Sequence, residues 1–344
     1  MIEKTKLQII NHVCYRDIFN APLLINDLIY WLSTESRNED LILTCIDELI
    51  KEQLIVEKNG YLAVIGKEEI IDAQTKKNKE TERILSQGKK GIQWLNRIPI
   101  IRYIGISGSL AANNPTKDIS CKWDGSVDMD LFVICRKNTL WIFFLFERIY
   151  TNVKRFILNK HFYCFNFVTE ETFLEIYNKN FYTATEIINL KTLSDSGIYT
   201  SFISNNQWYK MYYQNVPPLK DHIDQKQNNS FVYSLLAPIN AIFFVLFCIG
   251  RAIKRFEIEP LMEISSEFNP RHKCNLQRIS NPGGGYQNSI KARFDYLYKK
   301  NFEAYYSMQN IEALFPKNEW ENDYVESSME AEYAEMFSKY SMNE

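Results

Sequence analysis

Asp128 and Asp130 flank Met129 at the head of an apolar run, DMDLFVIC. In a strand, residues i and i+2 point to one face, so both carboxylates project together while Met129 turns away. Paired hard carboxylates of this kind are a divalent-metal site in outline. Upstream, the apolar run IRYIGI leads into Ser107, Gly108 and Ser109. Glycine lets backbone approach a phosphate oxygen, and a serine hydroxyl with the free N–H groups of a helix start can donate to it. Two carboxylates on one strand face can bridge two Mg²⁺ ions, which together stabilise the attacking and leaving oxygens of an in-line displacement at phosphorus.

These residues need a scaffold, and composition bounds it. With 344 residues, 46% hydrophobic and 24% charged, the chain reads as a soluble globular protein of two or three domains. A formal net charge of -2 and a pI near 6.2 argue against a whole-surface grip on nucleic acid. The seven cysteines form no Cys-x-x-Cys pair and several sit in apolar runs, as expected of buried thiols in a reducing compartment. His12, His161, His222 and His272 have no zinc-ligand spacing. The N-terminal MIEKTKLQIINHV lacks the apolar core and cleavage site of a secretory signal, so a cytoplasmic location is expected. Residues 231–249 carry no formal charge and are followed by Arg251, Lys254 and Arg255. That length is borderline for a bilayer span, and Pro238 with Asn240 near the middle favours a buried helix of a helical domain over a membrane segment.

Residues 1–66 read as three helices closed by a hairpin about Asn59-Gly60, because both residues tolerate positive φ. The order resembles a winged helix. Its third helix would carry Glu39, Asp40, Asp47, Glu48 and Glu52 against Lys51. Such a helix repels a phosphate backbone, which favours packing or protein contact over DNA binding. Residues 67–98 lack proline and read as one long charged helix ending at Pro99, with Arg83, Lys89 and Lys90 on a solvated face or near bound phosphates.

The Gly108-Ser109 turn after one strand and Asp128-Met129-Asp130 opening the next resemble the nucleotidyltransferase superfamily typified by DNA polymerase beta. The resemblance implies an α+β protein. Its polymerase-beta-like core would be a small mixed sheet with helices, flanked by the N-terminal winged helix and a C-terminal helical domain. The boundaries expected are 1–66, 67–171 with the long entry helix, and 172–344 with an acidic tail. It also implies a Mg²⁺-dependent enzyme that moves a nucleoside monophosphate from a nucleoside triphosphate to an acceptor hydroxyl and releases pyrophosphate. Asp128 and Asp130 would hold two metal ions, and Gly108 and Ser109 would hold the triphosphate. By analogy Lys191 offers a phosphate contact and Tyr182 a stacking face, against the plainer expectation of a solvated lysine and a core tyrosine.

The sequence departs from the superfamily pattern at two places. Ser109 and Asp128 are separated by a longer segment than usual, including NNPTKDISCKWDGS, which is loop-like in composition. The third carboxylate of the superfamily falls on a following strand, here residues 161–168, whose polar residue is Asn166. An amide oxygen can ligate Mg²⁺ but adds no charge and cannot act as a base, so Glu170 and Glu171 stand as candidate substitutes. Uncharacterised bacterial nucleotidyltransferase-domain proteins resemble the chain more widely, matching at Trp141, Cys164 with Asn166, Glu186, Asn206 with Trp208, and Asn215 before Pro217. In that group Asn166 would be a shared trait.

Beyond residue 171 the expectation is mainly helix, with a polar linker at 214–230, a loop at Asn-Pro-Gly-Gly-Gly 281–285 and an acidic, aromatic tail from Lys317. Two readings stay open. One is an enzyme acting on a nucleoside triphosphate and an RNA, protein or small-molecule acceptor. The other is a catalytically weak or inactive nucleotidyltransferase fold serving as a nucleotide sensor or protein-interaction module.

Overall fold

Asn59 and Gly60 adopt positive φ, 54° and 77°, as a two-residue turn between right-twisted strands demands. They join β2 (Ile55–Lys58) to β3 (Tyr61–Val64), with β1 (Leu23–Leu24) on the other side of β3 in the order β1-β3-β2. Around this small antiparallel sheet pack α1 (Ile2–Asp17), α2 (Ile25–Leu32) and α3 (Glu39–Lys51). The acidic α3 is N-capped by Asn38, which accepts the Leu41 N–H, and buries Ile42, Cys45, Ile46 and Leu49. Glu48 and Glu52 both grip the Lys6 ammonium of α1 at 2.8 Å. These acids therefore tie α3 to its neighbour.

The computed structural model describes residues 1–92, 95–115, 129–158, 163–215, 230–255, 274–275, 278–280 and 284–316. Asp128, most of the 113–126 and 214–230 segments, Asn281 to Gly283, and the acidic tail lie outside the described residues. The expected entry helix is α4 (Glu68–Ile92), followed by a 3-10 turn at Leu95–Arg97. Its Arg83 pairs with Glu80 one turn away on an exposed face, as a solvated helix would; the side chains of Lys89 and Lys90 lie outside the description.

A six-stranded sheet follows, built from β4 (Ile101–Ile106), β5 (Met129–Cys135), β6 (Tyr163–Glu170), β7 (Lys191–Asp195), β8 (Cys274–Asn275) and β9 (Arg278–Ser280). The strand order is β7-β4-β5-β6-β9-β8, antiparallel except for β5 and β6. That parallel pair requires a crossover, supplied by α6 (Leu140–Leu158). The protein is thus a mixed α+β fold. Alternation along β4 and β5 divides the interior. Ile104, Ile106, Met129, Leu131 and Val133 pack with α6 and with α10 (Ala237–Arg255). Tyr103, Phe132 and Ile134 face the other core, shared with α1, α2, α7 (Phe181–Asn189), α8 (Tyr199–Asn205) and α11 (Gly284–Asn301). The remaining short helices are α5 (Gly108–Ala111), α9 (Ser230–Ser234), α12 (Glu303–Tyr306) and α13 (Ile311–Leu314).

One expectation is extended and one corrected. The described region past residue 171 is mainly helix but also adds strands to the sheet, since β7 pairs with β4 and the β8–β9 hairpin extends the far edge beside β6. Lys-Thr-Leu-Ser-Asp lacks a clean hydrophobic alternation, so tertiary pairing rather than local pattern makes it a strand. The apolar run near residues 231–249 is helical but not a buried core helix. Only 11% of its most apolar stretch, Val232–Gly250, is buried. One side of α10 packs on α6, through Trp141 against Phe244 and Phe247 and Phe144 against Phe247, and much of the rest faces outward.

Candidate active site

β4 ends where Ser107 donates its N–H to the Asp130 carbonyl at 2.9 Å, which brings the strand-to-helix turn against the start of β5. Gly108 then takes φ +65°, a left-handed conformation that disfavours any side chain. Space excludes one as well. A Cβ on Gly108 would collide with the Asp130 carboxylate and stand 3.1 Å from its Cγ. The Gly-Ser turn and the aspartate strand are therefore in van der Waals contact. The helix they open, α5, is a single turn of four residues, so it contributes free N–H groups and the Ser109 hydroxyl more than a helix dipole.

Asp130 is half-buried and opposite Cys164 in the parallel register of β5 and β6. The pairing then slips. Leu131 stands opposite Phe165 but Phe132 opposite Phe167, leaving Asn166 as the extra residue of a bulge. The side chains confirm the slip, because Phe165 meets Phe143 on the α6 side while Phe167 stacks on Phe132 at 4.8 Å in the other core. Residues two apart in an unbroken strand would share a face. Asn166 thus sits two residues past Cys164, the partner of Asp130, at an irregularity of the kind that re-aims a side chain.

Glu170 and Glu171 do not complete the site. Glu170 pairs in register with Cys135, five residues along β5 from Asp130, which at strand spacing is about 17 Å away. It is buried at the start of α6, where the backbone N–H groups of Asn138, Thr139 and Leu140 donate to it, and burial pushes its carboxyl up to about 7. Glu171 pairs with Arg102 at 2.6 Å and accepts the Lys137 N–H. Both acids serve the opposite end of the sheet.

The acid that does arrive is Glu186. Its Oε2 accepts the Gly108 N–H at 3.1 Å, across 78 residues of sequence. Asn180 caps α7 by accepting the Thr183 N–H and so fixes the turn from which Glu186 projects. Burial raises the Glu186 carboxyl to about 7, opposed by the Gly108 hydrogen bond. One carboxylate therefore touches Gly108 from β5 and a second from α7. A lone acid in the apolar segment FYTATEIIN was the available signal, but nothing local says which element it faces.

Lys191 stands at the other end of α5. Its ammonium donates to the Leu110 carbonyl at 3.1 Å and to the Asn113 side chain, and burial lowers its pKa to about 8. It holds the C-terminal end of the turn and lines a cavity of about 620 Å³ shared with Arg16, Asp27, Gln74 and Tyr199. Tyr182 is 8% exposed and belongs to the core, as the plainer expectation had it. The donors that meet at Gly108 are oxygens of carboxylates, a set that suits a hard cation such as Mg²⁺. Among the described residues no three of His, Cys, Asp and Glu converge on a metal position, and Asp128 lies outside them. Comparison with protein-family models, with curated proteins and with solved structures returns no match.

Proposed function

We propose that the chain is a Mg²⁺-dependent nucleotidyltransferase, moving a nucleoside monophosphate from a nucleoside triphosphate to an acceptor hydroxyl with loss of pyrophosphate. The observation that carries this reading is the contact of Gly108 with the Asp130 carboxylate, since phosphate donors and a cation-binding acid then meet at one point. Asp130 would hold Mg²⁺ together with Asp128 and the Asn166 amide oxygen. When bound, the cation supplies charge stabilisation at the reacting phosphate. Gly108 and Ser109 bind the triphosphate through the backbone N–H and hydroxyl. Lys191 positions α5 by holding the Leu110 carbonyl. Glu186, a carboxyl with a pKa about 7, suits the task of taking the proton of an attacking hydroxyl, a role that Asn166 cannot fill.

A second reading has its own support. Glu186 occupies the Gly108 N–H that a phosphate oxygen would use. A triphosphate must displace that carboxyl, so the same site could act as a nucleotide sensor with slow turnover or none. An N-terminal winged helix in a protein-contact role fits the acidic α3 tied to Lys6 and suits either reading. Release of pyrophosphate from labelled nucleoside triphosphates, with cell extract as the source of acceptors, separates the two. Mg²⁺-dependent release supports the transferase. Nucleotide binding without release under any triphosphate supports the sensor.

A further inference from the structure

We propose that the outer face of the α6–α10 helix pair is a docking surface for an anionic lipid bilayer, on which the protein lies without spanning it. The two helices run in the same direction. Asn138 and Arg136 meet Tyr233, Trp141 meets Asn240 and Phe244, and Phe144 meets Phe247, so contacts advance together along both. Their inner faces are committed to each other and, through Phe143 against Phe165, to the sheet, and Trp141 is 1% exposed and Phe244 6%. Their outer faces are apolar and open. On α6, Phe146, Ile149 and Val153 are 58%, 53% and 49% exposed, and on α10 Ile239, Ile242 and Leu246 are 44%, 57% and 55% exposed. These positions recur at three- to four-residue steps, so each helix carries a continuous apolar stripe. Soluble monomers rarely expose contiguous apolar patches beyond a few hundred Å² without using them.

Charge selects the occupant. The stretch Val232–Gly250 has a mean hydropathy of 2.3 and no formal charge, while Arg251, Lys254 and Arg255 follow it within α10. Lys154 and Arg155 occupy the last turns of α6, and because the helices are parallel five of the pair's six basic residues fall at the same end, the sixth being Arg148 at mid-helix, paired with Glu147. An apolar surface with basic residues gathered at one end matches acyl chains beneath negatively charged headgroups. A span is disfavoured by packing, because lifting α10 away would expose Trp141 and Phe144 and break the hydrogen bond from the Trp141 N–H to the buried Asn240 side chain at 2.8 Å. That contact also gives Asn240, polar within an apolar helix, a structural task.

The test is flotation of the full chain with vesicles of phosphatidylcholine alone and of phosphatidylcholine mixed with phosphatidylglycerol, at low and high salt. The expected result is association with the mixed vesicles, weakened by salt and released by alkaline carbonate. The double variant Phe146→Asp, Ile242→Asp should bind at least about tenfold more weakly with an unchanged melting temperature, since both side chains are more than half exposed. If that variant instead unfolds, the charge variant Lys154→Gln, Arg155→Gln, Arg251→Gln serves, with weaker binding to the mixed vesicles expected and undiminished binding contradictory. No association with the mixed vesicles overturns the proposal. So does resistance to carbonate, which would mean a span, or a salt-insensitive dimer abolished by the Asp variants without vesicle binding, which would assign the face to a second copy.

Discussion

Gly108 and Asp130 approach so closely that a single methyl group on Gly108 would strike the Asp130 carboxylate. The glycine is needed both for that space and for its φ of +65°. Gly108→Ala should therefore cost about 1–3 kcal/mol of stability, from left-handed strain plus the collision. Urea denaturation measures the loss, and calorimetry on the still-folded variant should find Mg²⁺-nucleotide binding weakened. A variant as stable as wild type would mean that the turn adapts freely.

Glu186 should separate binding from chemistry. Glu186→Gln retains an oxygen to accept the Gly108 N–H but removes the charge that a triphosphate would meet under the proposed function, and the ability to take a proton. Nucleotide affinity should hold or improve, while pyrophosphate release should fall by about 10²-fold or more. Equal turnover in both proteins would remove Glu186 from the chemistry.

His12 predicts an acid-sensitive core. It is 3% exposed among the rings of Trp31, Phe181 and Tyr213, and burial lowers its pKa from the usual 6.5 to about 3. Below pH 6.5 the unfolded chain therefore binds a proton that the folded chain refuses, and stability falls as pH drops from 6.5 towards 3. Between pH 7 and 5 this contributes about 2 kcal/mol of loss. Glu170 and Glu186, raised to about 7, act oppositely, gaining stability as pH falls from 7 towards 4.5. The difference between wild type and His12→Phe in urea titrations across this range isolates the histidine. A difference independent of pH would contradict the assignment.

Asn206 should prove a structural keystone. It is fully buried, accepts the Ile176 N–H at 2.8 Å, and donates to the Leu174 and Phe202 carbonyls. Asn206→Ala leaves these groups unpaired and should cost about 2–4 kcal/mol, read from the denaturation midpoint. A loss under about 0.5 kcal/mol would show that water replaces the amide.

Legibility in the sequence followed the range of the interactions. The Asn59-Gly60 hairpin was readable because two adjacent residues set the turn, and the Gly108-Ser109 turn because an apolar strand runs straight into it. Glu186 was not, since its meeting with Gly108 depends on α7 being laid against α5 by tertiary packing. The sequence likewise placed Glu170 and Glu171 near Asn166 but could not show that β6 carries them to the opposite end of the sheet. For α10 the apolar run predicted a helix, yet which of its faces is covered is decided by α6. The bulge at Asn166 was hidden for the same reason, because register is a property of two strands.

The most direct test of the nucleotidyltransferase reading is calorimetric titration of nucleoside triphosphates into the protein with and without Mg²⁺, compared with Asp130→Asn. That substitution keeps the shape beside Gly108 and removes the charge. Binding should require Mg²⁺ and weaken by about tenfold or more in the variant at an unchanged melting temperature. Binding that is indifferent to Mg²⁺ and equal in the two proteins would contradict that reading.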